Sequence, residues 1–287
     1  MTYSQAMDRN RDLIKRTTGT WRFYTDSSLS LDNVGHTDDS DIPLAHCLTD
    51  QQAVHSSESS DVCKARLHLR DKTTAVFVKK FHFRSQRDRI MHLLRKGRAI
   101  RAVEADTMLI RQGFTAPQTL IAGWRQQYGI RRDFFTVTTA LEGYTTLYVQ
   151  VDRVAREGRG AKRAFLAGLA NTVAQLHETN ISHGDMRAGN ILARHDREWQ
   201  FAFLDNERTK RYITLPMRAR IKNLVQLSLL INPAISRTDR LYFYQVYCEQ
   251  CFGSFNKQLL TKVLRKTHKR ISRLVEKKRI EQSDLWI

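Results

Sequence analysis

His183-Gly184-Asp185-Met186-Arg187-Ala188-Gly189-Asn190-Ile191-Leu192 is the stretch on which the fold turns. Just upstream, Ala161 to Thr179 carries Phe165, Leu169, Val173 and Leu176 at helical spacing, and Asn180 follows as a stop signal. Just downstream, Ile191-Leu192 and Phe201–Leu204 read as short strands around the polar turn His195–Glu198. The second strand delivers Asp205. A polar loop carrying Asp185 and Asn190 therefore sits between a helix and a hairpin, and the hairpin ends in another aspartate.

Outward from this centre the two halves of the chain differ. On the N-terminal side, Ala65, Leu67 and Leu69 alternate with charged residues, Arg70-Asp71-Lys72 makes a turn, and Ala75-Val76-Phe77-Val78 follows as a buried strand. Trp21-Arg22-Phe23-Tyr24 reads as a short strand. Residues 85–112 read as a helix with Ile100, Val103, Thr107 and Ile110 on one face, ended by Gly113 and Pro117. Strand-like runs follow at Gln118–Ala122 and Phe134–Thr139. Residues 26–61, rich in Ser, Asp and His, read as a loop or a weakly ordered segment whose most flexible part is Ser56 to Ser60. Residues 216–287 read as several helices. The pattern is α+β with segregated lobes: a strand-rich half with one helix, then a helical half with one hairpin.

The chain has 287 residues and a formal net charge of +19, an excess that suits an anionic partner. Nucleic acid, an acidic membrane surface and a phosphorylated glycolipid all qualify. The N-terminal segment has no apolar run of the secretory kind, and no stretch approaches the roughly twenty apolar residues of a spanning helix. This leads us to expect a protein on the cytosolic side. Four cysteines are present, and Cys248 and Cys251 share one helical face in an aromatic run, which predicts packing rather than metal or redox chemistry.

The residue types around Asp185 suit phosphoryl transfer. That reaction needs a carboxylate to orient an acceptor hydroxyl and take its proton, oxygen ligands for magnesium, and a lysine positioned by a glutamate to hold phosphates. Asp185 fits the first role, and Asn190 and Asp205 fit the second. Lys79 closes the strand Val76-Phe77-Val78, and Glu104 lies on the helix beyond it, a pair suited to the third. Strand alternation points the neighbouring Lys80 to the opposite face. His183 is expected to pack and to bond backbone. Arg187 suits either an anionic acceptor or a surface salt bridge.

H-G-D-x-x-x-x-N followed by an apolar strand ending in Asp resembles the protein-kinase-like superfamily, and HGD in place of HRD resembles its small-molecule branch, which includes aminoglycoside and choline kinases. Three further segments resemble the bacterial lipopolysaccharide core kinases that phosphorylate Kdo or heptose: Val76-Phe77-Val78-Lys79-Lys80-Phe81-His82-Phe83-Arg84; Ala99 to Gly113 with Pro117 beyond; and Ile235-Ser236-Arg237-Thr238-Asp239-Arg240-Leu241. The resemblance spans residues 62–250. It implies a bilobal protein-kinase-like fold, ATP and Mg2+ as cofactors, Asp185 as catalytic base, Asn190 and Asp205 as magnesium ligands, and Lys79 with Glu104 as the phosphate-positioning pair. It also implies an interlobe hinge at Thr138–Glu142. On this basis the chain divides into an N-terminal extension and Ser-rich phosphate-covering region (1–61), a small lobe (62–139) and a helical lobe with a basic C-terminal helix (140–287). The implied acceptor is the core glycolipid of lipopolysaccharide, met on the inner face of the inner membrane.

Three departures qualify the resemblance. No GxGxxG joins the first two strands of the small lobe; Ser56 to Ser60 and Asp61 stand in its place. Asn206-Glu207 follows Asp205 instead of Phe-Gly, so Glu207 becomes a candidate extra ligand or substrate contact. Gly184 replaces the arginine that senses activation-loop phosphate in many protein kinases, which implies a constitutively competent enzyme. Two other readings stay open: a kinase of the same fold acting on a soluble small molecule or protein, and a noncatalytic pseudokinase. The tail Lys262 to Arg279 likewise reads in two ways. Leu264, Ile271, Leu274 and Val275 form the apolar face of a helix lying on anionic lipid, or the helix packs on the C-terminal lobe with its cations solvated. Nucleic acid is disfavoured, because the tail lacks a reading motif and interleaved aromatics.

Overall fold

The computed structural model describes residues 13–26, 42, 45–54, 60–69, 72–82, 97–128 and 130–276. The chain divides into two compact units, Met1–Arg111 with Pro117–Glu142, and Gln112–Ala116 with Gly143–Ile287.

The first unit is built on a seven-stranded antiparallel sheet. Its strands are β1 (Leu13–Thr18), β2 (Trp21–Asp26), β3 (Leu48–Val54), β4 (Ser60–Leu69), β5 (Lys72–Phe81), β6 (Thr119–Gln127) and β7 (Ile130–Thr139), in the order β1-β2-β6-β7-β5-β4-β3. Period-two alternation explains why both faces are apolar. Phe23, Val76, Val78, Ile121, Phe135 and Val137 enter one core, where Trp21 meets Phe135 edge-on at 5.5 Å. Their neighbours Tyr24, Phe81, Ala122 and Phe134 enter a second core, against Ala99, Ile100 and Val103 of helix α1 (Arg98–Arg111). Gly113, with φ of +82°, follows the end of this helix, as expected.

The predicted hairpin forms as β4–β5, with Ala65 opposite Val76. Two corrections concern strands. Residues 26–61 are not a loop throughout, because β3 lies within them and pairs with β4. β1 was not expected at all. Both are edge strands of the sheet. Along β3 only Leu48 is buried, so the sequence carries no alternation to betray it. The predicted helix over 85–112 is described from Arg98; residues 83–96, the turn at 70–71 and Ser56 to Ser59 lie outside the described residues.

The second unit is helical. Its strands are β8 (Thr145–Thr146), β9 (Ile181–Ser182), β10 (Ile191–His195), β11 (Trp199–Phe203) and β12 (Lys210–Arg211). Its helices are α2 (Leu147–Glu157), α3 (Arg159–Glu178), α4 (Met217–Ser228), α5 (Arg237–Phe252) and α6 (Lys257–Glu276). The hairpin β10–β11 pairs Ile191 with Phe203 and His195 with Trp199, around the expected turn. In α3, Phe165, Leu169, Val173 and Leu176 are all buried, each worth about 1.5–3 kcal/mol of apolar transfer. Asn180 adopts the left-handed conformation (φ 62°) just beyond the helix, the stop its position predicted.

Helix α6 bears on the two readings of the basic tail. Leu259, Val263, Thr267 and Ile271 are buried along one stripe, and α6 packs against α4. Of the apolar face read from sequence, Ile271 belongs to this buried stripe, Leu274 and Val275 are half-buried and Leu264 is exposed. Cys248 is buried and Cys251 accepts from Arg220 Nη1 at 3.1 Å, in keeping with packing. Among the described residues no helix is long and apolar enough to cross a membrane.

Candidate active site

The loop after β9 is tied down from three sides. Asn223 of α4 is fully buried, and its Oδ1 accepts from Ser182 Oγ at 3.0 Å and from the His183 amide at 3.2 Å. His183 Nε2 reaches the Leu204 carbonyl at 3.0 Å, while its Nδ1 accepts the Asp185 amide at 3.3 Å. These bonds select the neutral Nε2–H tautomer. Burial drives its pKa below the ordinary imidazole value, against opposing pulls from the Leu204 carbonyl, Asp185 and Asp205. Thr209 Oγ1 donates to the His183 carbonyl at 2.8 Å. His183 thus packs and bonds backbone, as expected from sequence.

Gly184 has φ of +77°, and a Cβ there would stand 2.3 Å from the Arg208 carbonyl oxygen. The backbone of Arg208 occupies the space any side chain needs. The HGD form is therefore a steric requirement of this loop, besides the loss of an arginine sensor that the resemblance implied.

The carboxylate of Asp185 is held at both oxygens. Gln226 Nε2 of α4 donates to Oδ1 at 3.0 Å, and Arg187 Nη2 donates to Oδ2 at 2.7 Å. The side chain is 13% exposed, so one aspect of it faces outward. Gln226 is itself buried and bonded: its Oε1 accepts the Met186 amide at 3.2 Å. Arg187 makes an ion pair, and its partner is Asp185 itself. Gln226 was missed from sequence. It lies 41 residues from Asp185 with no motif to mark it, and only helix packing brings it there.

Asn190 folds back onto the same loop. Its Nδ2 donates to the Asp185 carbonyl at 2.9 Å, which leaves Oδ1 as the atom to offer a ligand. The Leu204 amide donates to the Asn190 carbonyl at 2.9 Å, so the residue preceding Asp205 is fastened to Asn190. Asp205 sits in the left-handed region at φ 56°, a conformation Asp tolerates better than most residues. Asp185, Asn190 and Asp205 are thus brought together by backbone and side-chain bonds within the second unit. Glu207 is 5% exposed and lies beside Arg208 at 3.8 Å, so it is turned into the protein.

Lys79 and Glu104 belong to the first unit. Lys79 lies on β5, with Nζ 5.1 Å from the centre of the Phe81 ring. Phe81 packs on Ala99, Ile100 and Val103 of α1, so the face of β5 that carries Lys79 is the one α1 covers. Glu104 is half-buried on that helix. Lys80 points the other way and lines a cleft with Val78 and Asp61.

Residues 52–247 match the profile of the Lipopolysaccharide kinase (Kdo/WaaP) family. The chain belongs to this family. As a member of the Kdo/WaaP kinases it is a phosphotransferase with an alcohol group as acceptor, of protein-kinase-like fold, acting in lipopolysaccharide biosynthesis. Among solved structures it is similar to one described as WaaP in complex with acyl carrier protein. The two share 20% identity over 76% of this chain and 88% of that one, with a TM-score of 0.51, a likeness of fold. A comparison with curated protein sequences returns no match. The kinase family sets aside the noncatalytic alternative. The hinge implied by the resemblance falls where β7 ends, at Thr139, and the first unit ends at Glu142.

Proposed function

We propose that this kinase transfers the γ-phosphate of ATP, with Mg2+, to a hydroxyl of a Kdo or heptose residue in the lipopolysaccharide inner core. The observation that carries this is the Asp185 carboxylate, held at Oδ1 by Gln226 and at Oδ2 by Arg187. A carboxylate fixed in this way can accept the proton of a sugar hydroxyl as that oxygen bonds to phosphorus. The bond from phosphorus to the bridging oxygen breaks, and ADP leaves with the electron pair. Lys79, positioned by Glu104, holds the phosphates.

Asn190 and Asp205 are the residues that would hold magnesium. An amide oxygen and a carboxylate are hard donors, and Mg2+ is ordinarily bound by one or two protein groups with phosphates and water completing its shell. Such an ion supplies charge neutralisation on the phosphates. Arg187, paired to Asp185 at 2.7 Å and 58% exposed, keeps further guanidinium donors to offer an anionic substrate group.

The reading is tested by phosphate transfer from γ-labelled ATP to lipopolysaccharide lacking core phosphate. Wild type should label the glycolipid, and Asp185→Ala should lose at least about a thousandfold in rate while keeping its fold. Label appearing with Asp185→Ala would end the assignment of the base; ATP turnover without label in glycolipid would move the reaction to a soluble acceptor. We further propose that the enzyme meets this acceptor at the cytosolic leaflet of the inner membrane, drawn by its net charge of +19. Attachment of this kind is screened by salt. Membrane fractions should release the protein at high ionic strength, and unchanged fractionation would refute electrostatic docking.

A further inference from the structure

Between α4 and α6 runs a groove of about 420 Å3 with cationic walls. Lys222 projects into it from α4, and Lys266, Lys269, Arg270 and Arg273 from α6; Val225 and Leu274 supply its apolar lining. The α6 cations share one stripe because their spacing is helical, and that stripe borders the buried one of Val263, Thr267 and Ile271. No carboxylate of the described residues lies within ion-pair distance of any of these five cations. Mutually repelling charges gathered in a recess create a focused positive field that an anion relieves.

The groove leads to the catalytic loop. Lys222 Nζ donates to the carbonyl of Gly184, the residue before Asp185, at 2.6 Å. The Lys222 ammonium is driven toward its neutral form by burial first, then by Arg208, with Asp185 pulling the other way and Arg270 and Lys210 adding to the repulsion. Arg208 and Lys210 therefore extend the same positive field toward the loop.

We infer that this groove is the acceptor subsite, binding phosphate and carboxylate groups on the sugars of the glycolipid and setting one of its hydroxyls near Asp185. Two arginines offer planar forks that match such oxyanions, and lysines add point charges. Val225 and Leu274 give an apolar surface of the kind that takes the C–H face of a sugar ring. A recess suits a headgroup that enters it better than the plane of a phospholipid bilayer. The inference rests on the glycolipid reading above and deepens it.

The test compares two triple charge reversals of the full-length protein. One is Lys266→Glu with Arg270→Glu and Arg273→Glu in the groove. The other, matched in charge, is Arg156→Glu with Arg197→Glu and Lys257→Glu, elsewhere on the same unit. All six side chains are exposed, and circular dichroism checks that both variants fold. Binding to immobilised lipopolysaccharide lacking core phosphate is measured by surface plasmon resonance, beside phosphate transfer to the same glycolipid. The groove variant should bind at least tenfold more weakly and raise the KM for glycolipid in proportion, with the KM for ATP within twofold of wild type. The matched variant should bind as wild type does. Equal weakening of both variants, weakening of neither, or competition by phosphatidylglycerol vesicles as strong as by the glycolipid would overturn the groove. If wild type binds through the groove yet transfers no phosphate to the glycolipid, the groove stands as a glycolipid site and the reading of its acceptor as substrate falls.

Discussion

Gln226 shows how a single side chain is given a task by its surroundings. One end of its amide donates to Asp185 Oδ1 and the other accepts the Met186 amide, so it ties carboxylate and loop backbone to α4. It bonds the base and not the substrate, and acts by positioning. Gln226→Leu leaves the Met186 N–H unsatisfied, at a cost of about 1–3 kcal/mol, and frees the carboxylate to rotate. We expect kcat to fall about tenfold or more with the KM for ATP nearly unchanged, since orientation matters to the transition state more than to nucleotide binding. Steady-state kinetics would show this; a change confined to KM would assign Gln226 to substrate binding. The motif residues were legible because their order and spacing are local. Gln226 and Asn223 were not, because their meaning depends on which face of α4 meets the loop.

Among the elements, α6 carries two stripes with different jobs. Ile271 is buried against the unit, and neighbouring positions carry the cations of the groove. Ile271→Ala should destabilise the protein by about 2–5 kcal/mol, the range for a buried aliphatic truncation. The denaturation midpoint in urea measures this. An unchanged midpoint would show that the Ile271 contact does not hold α6 to the unit. The same packing means that removing residues 262–287 exposes the core of α4, so such a truncation tests folding before it tests membrane binding. Helix α3 was readable from its apolar spacing alone. β1 and β3 escaped notice because edge strands bury few side chains, and the alternation by which strands are recognised comes from burial.

For the molecule as a whole, a buried polar cluster makes stability depend on pH. His177 is fully buried, with Nδ1 2.8 Å from the Tyr247 hydroxyl and Nε2 3.1 Å from Asn223 Oδ1. Burial first, and Arg220 second, push its pKa down to about 3, with the Asn223 bond opposing. The folded chain therefore resists a proton that the unfolded chain accepts from about pH 6.5 downward. Stability is complete above that value and falls as pH drops, by up to about 1.4 kcal/mol per pH unit, until the folded value is reached. Burial acts on His183 in the same direction. The urea midpoint should be lower at pH 5.5 than at pH 7.5, and His177→Gln should flatten the difference. An equally steep dependence in that variant would exclude His177 as a source.

Local order in the chain was enough to specify the α+β class, the helix before the loop, the hairpin after it and the loop and strand end that carry Asp185, Asn190 and Asp205. Each of these rests on residues within a few positions of one another, where periodicity and turn chemistry act directly. Long-range packing decided the rest. It packed the stripe of Leu259, Val263, Thr267 and Ile271 of α6 into the unit against α4. It required glycine at position 184, because the backbone of Arg208 passes where a Cβ would stand. It also set Lys222 beside Gly184 and opposite the cations of α6, making a groove from residues more than forty positions apart. Side-chain burial and charge convergence depend on which surfaces meet, and no local spacing rule encodes that.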